Sequence, residues 1–286
     1  MATKVPETFK IPEYKKCLED VFGLEIDRIL EDGYPSKVML AYHAHDKKRQ
    51  KAIKYYLRDE STEGIAATRH FKMEAKILSL IRHPHIMTMD FYGSFPTYHA
   101  IVMPYYEEGT MTAVLQEMHE GLIDHYWVQI CAAVKYLHDN CIVHRDIKTD
   151  NVLITNRNNI ILTDFGLSCI VRKGSSLVDG HKGTPGFTSP EMELMKPYDG
   201  FKADMFSMGV VLWCMHFRQD IMEQRPKASY MYYVQRSKKL KKIDRNFLIN
   251  LLEPNPSARW SIYKMIDSLT DPRRFVHRVE KLKGQS

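Results

Sequence analysis

The first third of the chain alternates short apolar runs with polar turns, which predicts a small antiparallel β-sheet. Three strand-like runs, LEIDRIL, KVMLAYH and KAIKYYL, fill residues 24–57 and are separated by the turn-like EDGYPS and the polar AHDKKRQ. Two more strand-like runs, IMTMDFYG and HAIVMPYY, follow after residue 85. Short runs of this kind bounded by Gly, Pro and Asp are typical of strands in a sheet.

A helical period interrupts these strands and then takes over the rest of the chain. The segment AATRHFKMEAKILSLIR, residues 66–82, is predicted to be a helix that ends at His83-Pro84. Its apolar positions near helical spacing are Phe71, Ile77, Leu78 and Ile81. From Gly109 onward, HYWVQICAAVKYLHDN predicts a helix, and ADMFSMGVVLWCMHF is apolar enough to form a buried central helix.

The order of these patterns predicts an α+β protein with two lobes. We expect a small antiparallel-β lobe with one helix at residues 1–104, followed by a larger α-helical lobe at residues 105–286. No repeat, low-complexity tract or long linker separates them, so residues 104–109 would form a hinge. We expect residues 1–22 to brace the small lobe and residues 271–286 to brace the large one.

Composition narrows the class of protein. With 44% hydrophobic and 27% charged residues over 286 positions, the chain has the composition of a soluble globular protein. The longest nearly apolar run, residues 206–217, is too short to span a bilayer, and the N-terminus lacks a signal-like apolar stretch. The five cysteines are scattered and odd in number, which argues against a disulfide framework or a Cys-based zinc site. We expect an intracellular protein of the cytoplasm or nucleus, with no membrane contact.

The net charge of +6 is concentrated near the C-terminus, in RSKKLKKIDR and RRFVHRVEKLK. One interpretation is a solvated helix face, and the other is a surface for an anionic partner such as nucleic acid or an acidic protein. The sequence leaves both interpretations open. It also leaves the oligomeric state open.

The chemistry is concentrated in IVHRDIKTDNVLITNRNNIILTDFG, residues 142–166. Transfer of a phosphoryl group from a nucleotide needs metal ions at the phosphates and a base directed at the acceptor hydroxyl. Asn151 offers an amide oxygen and Asp164 a carboxylate, which suit Mg²⁺ or Mn²⁺. The run between them predicts a strand-turn-strand that brings both to one metal. Asp146 is then free to accept the proton of the acceptor.

This stretch resembles the catalytic loop H-R-D-x-x-x-x-N and the D-F-G motif of eukaryotic-type protein kinases. The resemblance runs from about Ile26 to Arg259 and implies the bilobal kinase fold, ATP as the nucleotide and no separate regulatory domain. Lys148 and Thr184 stand where Ser/Thr-specific members of the family carry a lysine and a threonine, so the chain resembles that branch. In that branch the lysine stabilises the transferred phosphate, and the threonine contacts both the lysine and the aspartate. The substrates are Ser/Thr-containing proteins.

The resemblance also implies a nucleotide site. Lys54 in KAIKYY would bind the α- and β-phosphates, with Glu74 as its ion-pair partner in preference to Glu63. The remaining positions that match the adenine and hinge residues of the family are Val38, Ala52, Met103, Pro104, Tyr106 and Leu153. Pro104 lacks an N–H, but that position needs only its carbonyl, and Tyr106 keeps both backbone groups.

Three further positions match structural roles in the family. Ser189-Pro190-Glu191 stands where Ala-Pro-Glu is usual, and Glu191 is expected to pair with Arg259. Asp204 matches the aspartate that begins the central helix and holds the backbone of the catalytic loop.

The phosphate-covering loop departs from the family pattern G-x-G-x-x-G-x-V. In EDGYPSKV only Gly33 remains, while Glu31 and Ser36 replace the outer glycines. We expect a stiffer loop and weaker ATP binding. A working enzyme with reduced nucleotide affinity is the preferred interpretation. The alternatives are a pseudokinase scaffold that uses the basic patches, and a small-molecule kinase, which Thr184 and GTPGFTSPE disfavour.

Regulation and substrate choice are predicted from fewer residues. In the family, an arginine such as Arg145 is neutralised by a phosphorylated residue, for which Ser175 and Ser176 are candidates, and Asp179 could replace that phosphate. Three acidic residues, Asp150, Glu107 and Glu108, match places where kinases of basic substrates carry acids. The compact chain and eroded glycine loop are similar to kinases of large DNA viruses, baculoviruses among them, for which basic nucleic-acid-packaging proteins would be natural substrates.

Overall fold

A computed structural model describes residues 23–180, 182–194, 196–221 and 228–270. The chain divides into two compact units, and the division along the chain falls after Glu107. His83–Ile86 belongs to the second unit, although the sequence on both sides of it belongs to the first. The first unit is built on a β-sheet and the second is mainly helical, which confirms the predicted α+β class.

The first unit contains a five-stranded antiparallel sheet in the order β1-β2-β3-β5-β4. Its strands are β1 Leu24–Asp32, β2 Ser36–His43, β3 Asp46–Leu57, β4 Phe91–Ser94 and β5 Tyr98–Pro104. All five predicted strands are therefore present. The polar segment AHDKKRQ is not a loop, however, because β3 begins at Asp46 and only Ala44 and His45 form the turn. Residues 46–50 are solvent-exposed, which explains why their composition resembles that of a loop.

Helix α1, Thr62–Leu80, is the only α-helix among the described residues of this unit. The Ser61 side chain accepts a hydrogen bond from the Gly64 amide at 3.0 Å and caps the first turn. The helix thus begins four residues before the predicted segment, because its first turn has no apolar side chain on the buried face and so carries no apolar period. Glu63 lies in that first turn, whereas Phe71, Glu74 and Leu78 lie on the buried face.

The second unit contains six α-helices, three short 3₁₀-helices and three pairs of short strands among its described residues. The helices are α2 Met111–Val114, α3 Glu120–Asp139, α4 Gly200–Phe217, α5 Ala228–Arg236, α6 Lys242–Leu251 and α7 Ile262–Thr270. The strand pairs are β6 Ile142–Val143 with β9 Cys169–Ile170, β7 Val152–Ile154 with β8 Ile160–Leu162, and β10 Leu177–Val178 with β11 Tyr198–Asp199. Among the described helices, none has the length and apolar character needed to cross a membrane.

Helix α4 is the buried centre of the second unit, as predicted. Asp199 caps it by accepting from the Lys202 amide at 3.0 Å, so the helix begins at Gly200 and Asp204 lies inside it instead of beginning it. Residues Ala203 to Met215 are all buried. At Gly209 a Cβ atom would come within 2.8 Å of the Leu251 Cβ, so only glycine lets α6 pack this close to α4.

The basic segment RSKKLKKIDR is not one helix face. It includes the last residue of α5, an exposed turn and the first residues of α6. Lys241 pairs with Glu120 at 2.7 Å, while Lys238, Lys239 and Lys242 are exposed. The second basic segment, RRFVHRVEKLK, and the predicted bracing segments 1–22 and 271–286 lie outside the described residues. The four cysteines in the described part are free thiols.

Candidate functional site

The carboxylate of Asp146 is fixed by neighbours on two sides. The Thr184 amide and hydroxyl donate to its Oδ1 at 2.9 and 2.8 Å. The Asn151 Nδ2 donates to its Oδ2 at 3.1 Å, and the Lys148 Nζ lies 3.9 Å from the same oxygen. The structure therefore brings together all four residues predicted to be catalytic. Asp146 is buried, so these donors replace most of its contact with water.

The predicted strand-turn-strand between Asn151 and Asp164 is present as the β7–β8 hairpin. The Thr163 amide donates to the Asn151 carbonyl at 2.9 Å, which places the residue before Asp164 beside Asn151. Asp164 has a positive φ of 63°, and its Oδ1 accepts from the Gly166 amide at 3.2 Å.

The chemistry of these two side chains fits a magnesium ion. Asn151 uses its Nδ2 for both of its side-chain hydrogen bonds, to the carbonyl of Asp146 at 2.8 Å and to the carboxylate. Within the described part of the chain its amide oxygen takes part in no hydrogen bond. An amide oxygen and a carboxylate are hard ligands of the kind that Mg²⁺ prefers.

Asp204 holds the backbone of the catalytic loop, as predicted. Its Oδ2 accepts from the His144 amide and its Oδ1 from the Arg145 amide, both at 2.9 Å. The sequence did not indicate a third partner, His138, whose Nε2 lies 3.0 Å from Asp204 Oδ2. The signal would have been a polar residue on the buried, otherwise apolar face of α3.

In the first unit, Lys54 and Glu74 form a buried ion pair. The Lys54 Nζ lies 2.9 Å from Glu74 Oε2, and the two side chains are 8% and 1% exposed. The preference for Glu74 over Glu63 as the partner is therefore confirmed. Tyr56 also donates a hydrogen bond to Glu74 Oε2, a contact that the sequence analysis missed. The signal available was position: Tyr56 is two residues after Lys54, so both point to the same face of β3.

The predicted adenine-binding residues lie in both units. Val38 pairs with Lys54 across β2 and β3, and Ala52 pairs with Met103 across β3 and β5. Pro104 is the last residue of β5 and pairs with Lys51. Burial, and next the charge of Asp90, raise the pKa of the Tyr106 phenol. Leu153 belongs to the second unit, in β7.

The segment around Gly33 is a tight paired turn. Glu31 and Asp32 belong to β1 and pair with Val38 and Lys37 of β2. The Lys37 Nζ lies 2.7 Å from Asp32 Oδ1. These contacts tie the two strands together on either side of Gly33, and the stiffer loop stays a prediction.

Tyr34, at the tip of this turn, reaches helix α1. Its hydroxyl donates to the Glu63 carbonyl at 3.3 Å. Burial, and next the charge of Glu63, raise the pKa of the Tyr34 phenol. The turn is therefore attached to the first turn of α1.

Arg145 donates to backbone carbonyls and also contacts the Tyr198 hydroxyl. Its guanidinium donates to the carbonyl oxygens of Leu167 at 2.6 Å, Ser168 at 3.4 Å and Asp179 at 3.3 Å. No ion pair within the described residues joins the carboxylate of Asp179 to Arg145, so the predicted replacement of a phosphate by that carboxylate is wrong in its geometry.

The neighbouring part of this segment is ordered by pairing of β10 with β11. The Gly200 amide donates to the Ser176 carbonyl at 2.8 Å. Ser175 lies in a turn in which its own amide donates to the Arg172 carbonyl at 2.9 Å.

The predicted pair of Glu191 with Arg259 is confirmed. Arg259 donates to both carboxylate oxygens, at 2.6 and 3.0 Å, and its side chain is fully buried. Gly183, next to Thr184, has a φ of +123°, and a Cβ there would lie 2.7 Å from the Arg145 carbonyl. Glycine at this position therefore lets the segment that carries Thr184 approach the catalytic loop.

Two acidic side chains of the second unit lie at the catalytic loop, Asp150 within it and Asp220 beside it. Asp150, predicted as a substrate contact, is exposed and accepts from the Thr112 hydroxyl at 2.8 Å. Asp220, which the sequence analysis missed, accepts from the Thr149 hydroxyl at 3.3 Å. Glu108 is exposed in the same unit, and Glu107 is exposed in the first.

Comparisons with known proteins identify a matching family model and several similar protein kinases. A family model described as "Protein kinase domain" matches residues 24–269. The chain is 27% identical to "CBL-interacting serine/threonine-protein kinase 20" of Arabidopsis thaliana, over 85% of this chain and 57% of the relative. It is 33% identical to "CBL-interacting serine/threonine-protein kinase 13" of the same plant, over 67% of this chain and 38% of the relative. It is 36% identical to human "NUAK family SNF1-like kinase 2", over 51% of this chain and 24% of the relative. The chain thus spans between 24% and 57% of the length of these relatives.

Proposed function

Because the chain belongs to the protein kinase domain family, we propose that it transfers the γ-phosphoryl group of ATP to serine or threonine hydroxyls of proteins. The observation that carries this proposal is the arrangement of Asp146. One of its oxygens accepts two hydrogen bonds from Thr184, and the other accepts one from Asn151. Two of the relatives are named serine/threonine-protein kinases. These names support serine and threonine hydroxyls as the phosphate acceptors.

The chain's own residues have distinct parts in this reaction. Asp146 accepts the proton of the attacking hydroxyl on Oδ2, because Oδ1 is already occupied by the two Thr184 donors. Lys148, 3.9 Å from Oδ2, contributes a positive charge on the same side and stabilises the charge of the phosphoryl group in transfer. Lys54, oriented by Glu74, binds the α- and β-phosphates.

Asn151 and Asp164 would hold the metal ion, Mg²⁺ or alternatively Mn²⁺. When bound, the ion neutralises negative charge on the phosphates. The amide oxygen of Asn151 is oriented for this role because its Nδ2 is committed to Asp146. In the first unit, the adenine base would contact Val38 and Ala52, beside Met103 and Pro104 at the end of β5 and Tyr106 just after it.

A second candidate function is a pseudokinase scaffold, which the tight turn at Gly33 favours. The turn pairs Glu31 and Asp32 with β2, so a negative side chain replaces a flexible glycine where phosphates are expected. We propose that the result is a high KM for ATP and not a loss of activity, because every residue predicted to act on the phosphates or the proton is present. The exposed Lys238, Lys239 and Lys242 would serve a partner in the scaffold alternative.

The substrates that fit best are basic proteins. Asp150 and Asp220 are fixed beside the catalytic loop by Thr112 and Thr149, and each keeps a negative charge at the surface. Small basic proteins that package nucleic acid, as in large DNA viruses, are the proposed class. An intracellular location, in the cytoplasm or nucleus, is part of the same proposal.

The test is transfer of labelled phosphate from magnesium-ATP to protamine and to myelin basic protein. Asp146→Asn keeps the size of the side chain and should reduce the rate about 100-fold to 10,000-fold, because it removes the base. Asp220→Asn should reduce the rate on protamine more than the rate on a neutral Ser/Thr peptide. Nucleotide binding without any transfer would support the scaffold alternative. Transfer only to a small alcohol would support a small-molecule kinase.

A further inference from the structure

We propose that Tyr56 is a positioning residue for the nucleotide-binding lysine. Its hydroxyl holds the carboxylate of Glu74 in place, so that the direction of Lys54 does not depend on the ion pair alone. This inference rests on the proposed function, since it takes Lys54 to bind phosphates, and it adds a residue outside the motifs described above.

Within the first unit, two donors from one strand share a single acceptor, the carboxylate of Glu74. Lys54 and Tyr56 are separated by two positions in β3, so their side chains leave the same face of the sheet. Both donate to the same oxygen, Oε2 of Glu74. The Lys54 Nζ also lies 5.4 Å from the centre of the Tyr56 ring, within range of a cation–π attraction.

Burial makes this arrangement important. Counted over the whole residue, Lys54, Tyr56 and Glu74 are 6%, 1% and 1% exposed, so water cannot replace a lost donor. A buried carboxylate whose partner is removed carries a large desolvation penalty. When Lys54 turns toward a phosphate, its bond to Glu74 weakens, and the Tyr56 hydroxyl remains as a donor. Tyr56 thus keeps Glu74 and helix α1 in position while the lysine is engaged with nucleotide.

The Tyr56 ring is itself held by a packed layer behind it. Phe71 of α1 lies 5.9 Å from it, measured between ring centres. His99 stacks on Phe71 at 4.4 Å with an angle of 6° between the rings. The two nitrogens of His99 bond to the Ser94 and Thr68 hydroxyls at 2.8 and 3.0 Å. This layer packs against the Tyr56 ring in the orientation in which its hydroxyl reaches Glu74.

The experiment compares Tyr56→Phe with Tyr55→Phe in the full chain. Both variants remove one phenolic oxygen from a buried tyrosine of β3, but Tyr55 lies on the opposite face, in a cluster with Leu24, Met39 and Tyr98. We expect Tyr56→Phe to raise the KM for ATP about fivefold to tenfold with a change in kcat below about twofold. Tyr55→Phe should leave the KM for ATP within about twofold. In a Glu74→Leu background, Tyr56→Phe should add almost nothing, because the acceptor through which it acts is gone.

Equal KM values for the two variants, or a full Tyr56→Phe effect in the Glu74→Leu background, would overturn the proposal. Hydrogen exchange decides the same question without turnover, so it separates this inference from the proposed function. Tyr56→Phe should speed amide exchange in α1 around Glu74, and Tyr55→Phe should not. Equal exchange in the two variants would overturn the inference even for a preparation that transfers no phosphate. Melting temperatures of both variants identify any general loss of stability.

Discussion

Thr184 gives both its amide and its hydroxyl to one oxygen of Asp146, at 2.9 and 2.8 Å. Two residues 38 positions apart in the chain therefore form a two-point contact. Such a contact fixes both the position of the carboxylate and its rotation about the last side-chain bond. The second oxygen, Oδ2, is consequently held in one orientation.

Removal of the Thr184 hydroxyl should reduce the rate of phosphoryl transfer. Thr184→Val keeps the shape and the amide donor but loses one of the two bonds, and we expect kcat to fall about tenfold to 100-fold. Thr184→Ser keeps the hydroxyl and should retain most of the activity. Steady-state kinetics at saturating ATP would measure the difference. Similar kcat values for the valine and serine variants would contradict a role for the hydroxyl in orienting Asp146.

Loss of the Arg259 side chain should destabilise the second unit strongly. Arg259→Ala leaves the carboxylate of Glu191 buried without its two-point partner, and we expect a loss of about 3 to 5 kcal/mol in the free energy of unfolding. Lys135→Ala is the control. It breaks the ion pair of Lys135 with Asp139, which is 2.6 Å long but solvent-exposed, and it should leave the free energy of unfolding nearly unchanged. Urea titration followed by circular dichroism compares the two, and equal effects would show that burial does not control this contact.

Phosphatase treatment should leave the proposed activity intact. Arg145 already donates to three backbone carbonyls, so its hydrogen-bond donors are satisfied without a phosphate. Ser175→Ala, Ser176→Ala and Asp179→Asn should each keep the transfer rate within about twofold. Activity that appears only after phosphorylation of Ser175 or Ser176 would contradict this expectation. A large loss in Asp179→Asn would show that the carboxylate, and not the carbonyl, carries the contact.

Stability should decrease as the pH falls from neutral. Burial, followed by the charges of Arg58 and Lys72, lowers the pKa of His99 to about 4 from an ordinary value of 6.5. The folded state therefore keeps His99 neutral where the unfolded state binds a proton. The contribution of neutral His99 to the free energy of unfolding is complete above pH 6.5. It is lost as the pH falls toward 4, by about 1.4 kcal/mol for each pH unit.

His216 should act in the same direction, because burial, followed by the charge of Lys241, lowers its pKa to about 4. Urea unfolding at pH 7.5 and pH 5 would measure the combined slope. His99→Gln should reduce the slope, whereas His45→Gln, at an exposed position, should not change it. A nuclear magnetic resonance titration in which the His99 ring gains its proton near pH 6.5 would contradict the prediction.

The parts of the site that the sequence predicted most directly consist of residues that lie close together along the chain. Asn151 and Asp164 are joined by a hairpin that lies wholly between them, so the motif alone places them together. The pairing of Glu191 with Arg259 bridges 68 positions, and it was predictable only because both residues match positions of a known family.

The contacts that the sequence did not predict depend on tertiary packing around side chains of ordinary type. Position alone places Tyr56 on the face of β3 that carries Lys54, and His138 on the buried face of α3. It does not identify Glu74 or Asp204 as their partners, since buried tyrosines and histidines usually have structural roles. The starts of α1 and α4 were missed for another reason. Their first turns are set by the caps Ser61 and Asp199, whereas the hydrophobic period reports only the buried turns that follow.

The three carbonyl oxygens that accept hydrogen bonds from Arg145 belong to the main chain. Substitution changes side chains but leaves every peptide carbonyl in place. Positions 167, 168 and 179 can therefore drift in evolution without removing an acceptor, provided that the backbone keeps its path. Conservation at these positions would be a poor guide to their importance, and the residue to follow across related sequences is the arginine.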